Sequence, residues 1–309
     1  MSAWRLPILV ALALAVGCGN ATQAPSVLKH VVPYEGVSEP SAGSKPIFSK
    51  LYSGSAPVGD AAFEQLKQLG VQTVLSVDGA IPDLESATAH GMRYVHLPIG
   101  YDGLDEERAA LLVRVVRDLP KPVYLHCHHG QHRSACAAAV VAISLGWLKH
   151  EAAVAQMNLS GTSAAYQGLW ESVARAEVLT EEAIDAAPSE FPSLTQPLPL
   201  VSAMVAIDAA LDQITSSSGK TLAQSAAHAG TIADLLRVLG EEERAHTRLS
   251  PQSQTMRILF EESAAAATTL EQTLAAGGGA GLGRAISALK SSCTKCHAVF
   301  RDERRISAR

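Results

Sequence analysis

The stretch HCHHGQHRSAC, from His126 to Cys136, places four histidines, two cysteines and an arginine in eleven residues, directly behind the apolar run KPVYLHC. Three chemistries suit that composition: a metal cluster, a nucleophilic cysteine in an anion-binding loop, and an irregular helix start. Spacing separates them. Cys127 and Arg133 stand in Cys-x5-Arg register, followed by Ser134 and the apolar helical pattern RSACAAAVVAISLG. A tight loop from strand end to helix start turns several backbone N–H groups toward one point. Gly130 permits the backbone angles this needs, and Arg133 can hold two oxyanion oxygens in its planar fork. Such a field favours a thiolate at Cys127, and a thiolate below a bound phosphoryl group is an in-line nucleophile. Ser134 can donate a hydrogen bond to that sulfur. The histidines of the loop could make the pocket more positive. They sit too close to Cys127 in one loop for all of them to converge on one ion.

A second constellation lies near the end: CTKCH, with Cys293, Cys296 and His297. Cys-x-x-Cys-His is the attachment pattern of a c-type haem, one per chain. Two thiols add to the vinyl groups, and the next histidine coordinates the iron.

The loop HCHHGQHRS resembles the His-Cys-x5-Arg-Ser/Thr signature of protein tyrosine and dual-specificity phosphatases, over about residues 46–180. The resemblance implies an α/β phosphatase-like fold and a phosphocysteine intermediate on Cys127. It implies that Arg133 clamps the phosphoryl oxygens and that His126 orients the loop from behind. The phosphate-binding positions are then His128, His129, Gly130, Gln131, His132 and Arg133. The family draws its general acid from a separate loop, and LPIGYDGLDEE resembles that loop. Asp102 is the first choice and Asp105 the second, because Asp105 precedes a helix and suits a cap. The loop has no long insert to build a deep aromatic slot, which favours a shallow or dual-specificity pocket. Sulfurtransferases also use a cysteine in an anion loop, but without the Cys-x5-Arg register.

SSCTKCHAVFRDERR resembles the last helix of the cytochrome c-prime and cytochrome b562 bundles, over about residues 197–309. That resemblance implies His297 on the haem iron, with two distal arrangements: Met204, ahead of Met256, as in the b562-like members, or an open distal side as in many c-prime members. It also implies Phe300 against the haem and Arg301 near a propionate. For Met204, Phe300 and Arg301, plain packing or a solvated helix face is the competing reading.

The elements that must hold these residues follow from periodicity. VQTVLSV, MRYVHLPI and KPVYLHC read as strands; DAAFEQLKQLG, DEERAALLVRVVRDL and the run after Arg133 read as helices. Alternating strands and helices imply a central, mostly parallel sheet covered on both faces. The Pro-rich stretch 191–198 ends this part, and four helical patterns follow over 199–309, with Gly230 as an interruption of the second. The expected architecture is two domains, an α/β domain at 46–190 and an all-α four-helix bundle. Cys136, inside an apolar helix, reads as core packing, with a disulfide to Cys127 as the alternative.

The chain of 309 residues carries a net charge of −5 and a pI near 6.1, which argues against nucleic-acid binding. Residues 1–17 have the basic start and short apolar core of an export signal. Cys18 follows in a lipobox-like setting, so a lipid anchor at the periplasmic face of a bacterial membrane is expected, with 18–45 as a tether. The expected partners are a phosphorylated substrate or oxyanion, a redox partner, and a second copy through the helical bundle. Two functions remain open: an exported phosphatase joined to a monohaem cytochrome domain, and an electron-transfer or haem-sensing protein whose phosphatase-like domain only binds an oxyanion.

Overall fold

The computed structural model describes residues 27–38, 47–196, 199–216, 221–246 and 251–302. The expected export signal and Cys18 lie outside the described residues. Five strands form one sheet: β1 (Val32–Ser38), β2 (Ile47–Ser55), β3 (Thr73–Ser76), β4 (Arg93–His96) and β5 (Val123–Cys127), in the spatial order β1-β2-β5-β3-β4. β2, β5, β3 and β4 run parallel, and β1 is antiparallel to β2. β3 and β5 are buried along their whole length, as strands covered on both faces must be. Register sorts their side chains. Val74, Tyr124 and Tyr94 face a core shared with α1 (Asp60–Gln68) and α2 (Leu84–Ala89). Leu75, Leu125 and Val95 face the larger core on the other side.

That larger core is built by α3 (Glu106–Asp118), α4 (Arg133–Ser144), α5 (His150–Ser160), α6 (Gln167–Arg175) and α7 (Glu181–Ala186). Every residue of α4 from Ser134 to Ser144 is buried. Its run of small side chains lets the helix lie directly under the sheet. Asp105 caps α3, its carboxylate accepting from the Arg108 N–H at 2.7 Å.

Order begins before residue 46. Val32 pairs opposite Ser53 and Ser38 opposite Ile47, so part of the stretch expected to be a tether is an edge strand. An edge position tolerates Pro33. Tyr34 is buried, and its hydroxyl donates to the Ala135 carbonyl at 3.3 Å, fastening the edge to α4.

The C-terminal part holds α8 (Pro199–Thr215), α9 (Leu222–His246), α10 (Pro251–Ala275) and α11 (Leu282–His297), which share a core including Ile207, Ile232, Phe260 and Leu289. α9 runs unbroken through Gly230. α9 packs on α8 and α10, and α10 on α11. Among the described residues, α8 and α11, the pair that would close a four-helix ring, have no comparable packing. The Pro-rich connection is fastened rather than loose. The His96 N–H donates to the Pro192 carbonyl at 2.8 Å, and the Thr195 N–H to His96 Nδ1 at 3.1 Å. The Thr195 hydroxyl donates to the His96 carbonyl at 2.6 Å, so the connection shields the β4 edge. No helix among the described residues is long and apolar enough to cross a membrane.

Candidate active site

Cys127 is the last residue of β5, and Arg133 is the first of α4. The five residues between them form the loop that the Cys-x5-Arg spacing predicts. Gly130 adopts φ +79°, and a Cβ there would lie 2.3 Å from the Ser55 backbone nitrogen. The loop therefore needs glycine twice over, for its angle and for its approach to the end of β2. The Ala56 N–H donates to the His128 carbonyl at 3.1 Å, and the Thr162 hydroxyl to the Gln131 carbonyl at 2.5 Å. These bonds anchor the loop on two sides.

The Cys127 sulfur is nearly buried and lies 3.3 Å from the Ser134 hydroxyl, which is 3.4 Å from the Gly54 carbonyl. His126 is buried behind the loop. Its Nε2 meets the Tyr94 hydroxyl at 2.5 Å, and burial lowers its pKa to about 4. It is a neutral ring that holds position, and it adds no positive charge. Cys136 is buried and forms no disulfide; its thiol donates to the Leu169 carbonyl at 3.3 Å.

The arginine is held by a residue the motif does not contain. Asp78, 1% exposed and placed just after β3, accepts from Arg133 Nη2 at 2.8 Å through Oδ1. The same oxygen accepts the Gly79 N–H at 2.8 Å. Burial works against the Arg133 charge, but Tyr101, Asp78 and Cys127 outweigh it and hold the guanidinium protonated. Arg133 Nε is buried without a hydrogen-bond partner. An orphaned buried donor is costly unless something arrives to satisfy it. Sheet order explains Asp78: β3 and β5 are neighbours, so their carboxyl ends meet where α/β folds place their sites.

An aromatic wall stands beside the arginine. The Arg133 guanidinium lies 4.8 Å from the centre of the Tyr101 ring, the Tyr101 and Tyr166 rings meet at a tilt of 39° with centres 4.5 Å apart, and Tyr166 meets His132 at 4.6 Å. The short loop, which has no insert to build a deep aromatic slot, itself supplies one ring of this wall, Tyr101. Asp102 follows Tyr101 and is exposed. Its loop is pinned to α6, where the Leu104 N–H donates to the Ser172 hydroxyl at 2.9 Å. Asp105 is engaged as the cap of α3, accepting from the Arg108 N–H, as its position before the helix predicts.

His128 and His129 do not simply add positive charge. α8 lies across the loop, with Asp208 and Asp212 one turn apart on the same face. His129 Nε2 is 3.3 Å from Asp208 Oδ2, and His128 Nε2 is 3.8 Å from Asp208 Oδ2 and 3.9 Å from Asp212 Oδ2. Asp208 raises the pKa of His129 against the effect of burial.

The second constellation sits on α11. Cys296 is buried and Cys293 half-buried, both packed on the helical core; His297 ends the helix. Burial pushes the Cys296 thiol up to about 11 and raises that of Cys293. Met204 from α8, Met256 from α10 and Phe300 pack on the same core. The Arg301 side chain lies outside the described residues.

No family model matches the chain, and no curated protein matches it. Among solved structures, Pseudomonas aeruginosa TpbA matches at 25% identity and a TM-score of 0.37, covering 44% of this chain and 84% of that one. A cysteine-to-serine form of TpbA in complex with phosphotyrosine matches at 22% identity and a TM-score of 0.37, over 55% of this chain and all of that one. A DUF442 protein from Shewanella putrefaciens matches at 24% identity and a TM-score of 0.33, over 41% and 88%. At these scores the likeness assigns no residue a role.

Proposed function

We propose that the chain is a cysteine-dependent phosphoric monoester hydrolase joined to a c-type haem domain. The observation that carries the hydrolase is one loop that opens on the nearly buried Cys127 sulfur, 3.3 Å from the Ser134 hydroxyl, and closes on the buried Arg133, whose Nε donor has no hydrogen-bond partner. The loop binds the phosphoryl group through its N–H groups and Arg133. The Cys127 thiolate attacks phosphorus in line while the ester P–O bond breaks, and Asp102 gives its proton to the leaving oxygen. The product is a phosphocysteine and a free alcohol. Asp102, now a carboxylate, takes a proton from water as the water oxygen attacks phosphorus. The P–S bond breaks, releasing phosphate, and the Ser134 hydroxyl stabilises the departing thiolate. Tyr101 and Tyr166 offer an aromatic face beside the phosphate, which favours an aryl phosphate such as phosphotyrosine over a small alkyl ester.

The donor set of α11 fits a covalent haem. Two thiols sit one turn apart on the face toward the core, an imidazole follows in the next position, and a thioether from α8 packs on the same core. Cys293 and Cys296 would hold the group, His297 would ligate its iron, and Met204 is the distal candidate; such a group supplies one-electron transfer. Haem attachment of this kind and the leader pattern together support an exported, lipid-anchored protein.

Turnover of an aryl phosphate by the full chain under reductant, compared with Cys127→Ser, tests the hydrolase. Loss of turnover is expected, and activity that survives the substitution overturns the thiolate mechanism. The second reading is an electron-transfer or haem-sensing protein whose phosphatase-like domain binds an oxyanion without turnover. Phosphate binding with no turnover in either form would select it. Covalent haem in protein matured with c-haem assembly, absent in the Cys293→Ala/Cys296→Ala form, tests the other half.

A further inference from the structure

We propose that the contact between the catalytic loop and α8 is a binding site for one divalent transition-metal ion of the zinc class, held by His128, His129 and Asp212 with Asp208 as the fourth donor. One ligand atom each from His128, His129 and Asp212 lie within 4.8 Å of one another. Asp208 Oδ2 adds separations of 3.3 and 3.8 Å to the two imidazole Nε2 atoms. A tetrahedral zinc with nitrogen and oxygen ligands at about 2.0–2.1 Å needs ligand atoms about 3.3 Å apart. The observed separations reach that with small side-chain rotations. Two neutral imidazoles and two carboxylates also balance the charge of a divalent ion.

A second observation points to the same ion. Asp78 is 1% exposed, and its Oδ2 has no hydrogen-bond partner while Oδ1 serves Arg133 and Gly79. That orphan oxygen is 3.7 Å from His128 Nδ1. An imidazole that gives Nε2 to a metal presents its Nδ1–H to a carboxylate, which fixes the ring and strengthens the ligand. Asp78 is placed to be that carboxylate. It would then join the metal to the catalytic arginine through one side chain. Within the loop alone the histidines are too crowded to share an ion with Cys127; the missing ligands come from α8, and the cysteine is not needed.

The test is direct metal binding by the full chain carrying its haem, in a Cys127→Ser background that removes the loop thiolate. Zinc is titrated by calorimetry and cobalt by visible absorption. One ion per chain is expected, bound through nitrogen and oxygen. Asp212→Asn and His129→Gln should each weaken it at least about tenfold, the range for loss of a ligand or its support. Asp212 is about half exposed, so its substitution spares the fold, and circular dichroism verifies this. No binding, binding unchanged in both variants, or cobalt spectra with thiolate charge-transfer bands would each overturn the site. The outcome does not depend on whether Cys127 turns over any substrate.

Discussion

Arg133 is buried, and Asp78 makes the closest ion pair to it. Removing one member of a buried pair leaves an uncompensated charge. Asp78→Asn should therefore cost about 3–5 kcal/mol of stability. The check is the urea midpoint, and inorganic phosphate should recover part of the loss by supplying the missing anion. Arg133→Lys keeps a charge but loses the fork that holds two oxygens, so kcat/KM should fall about 10²–10³-fold. Asp102→Asn should lower turnover about 10²–10⁴-fold on alkyl phosphates. On aryl phosphates with good leaving groups its effect should be smaller, and steady-state assays on both esters decide it. Cys127, Arg133 and Ser134 were legible in the sequence because their chemistry is local to one loop. Asp78 was not, because its role depends on β3 lying beside β5. The available signal was a carboxylate immediately after a buried strand.

At the scale of elements, loop and helix form one unit whose backbone leaves no room. Gly130→Ala combines an unfavourable positive φ with a Cβ 2.3 Å from the Ser55 backbone. Neither can relax without moving β2 or the loop, so the variant should fold with the loop displaced. About 1–3 kcal/mol of stability should go, along with most of the phosphate affinity. Thermal melts with and without phosphate measure both, and an unchanged phosphate-induced shift would contradict the close packing. The buried strands and α4 were readable because continuous apolar runs have few other homes. β1 was hidden: Pro33 and Gly36 interrupt its pattern, and its partner β2 is fixed by pairing rather than by local sequence. The break expected at Gly230 did not occur because α9 is held between α8 and α10. Packing there overrides the cost of one glycine.

Both motifs were legible as motifs, yet nothing in either told that α8 would lie on the loop. That arrangement is set by the connection along β4, and His96 is its fastening. His96 Nε2 donates to the Asp78 carbonyl at 2.9 Å in either charge state, whereas Nδ1 accepts from the Thr195 N–H and so needs the neutral ring. Burial lowers its pKa below 6.5 despite the pull of Asp78. The native state therefore takes up this proton later than the unfolded chain. The stability it contributes is complete above about pH 6.5 and is lost as the pH falls from there through the folded pKa, by up to about 1.4 kcal/mol per unit. His129 has the opposite sign: Asp208 raises its pKa, so its contribution fades as pH rises through the folded value. The two are separable by variant. His96→Asn should be less stable than the parent at pH 7.5, with the gap closing toward pH 5.5. Denaturation midpoints over that range measure it. Protonation should also free the Thr195 N–H from its acceptor and loosen α8 from the loop, seen as faster amide exchange at 193–196 below pH 6 than the intrinsic rates predict. A stability gap that is constant with pH would mean that the ring serves only as packing and that α8 is held by other contacts.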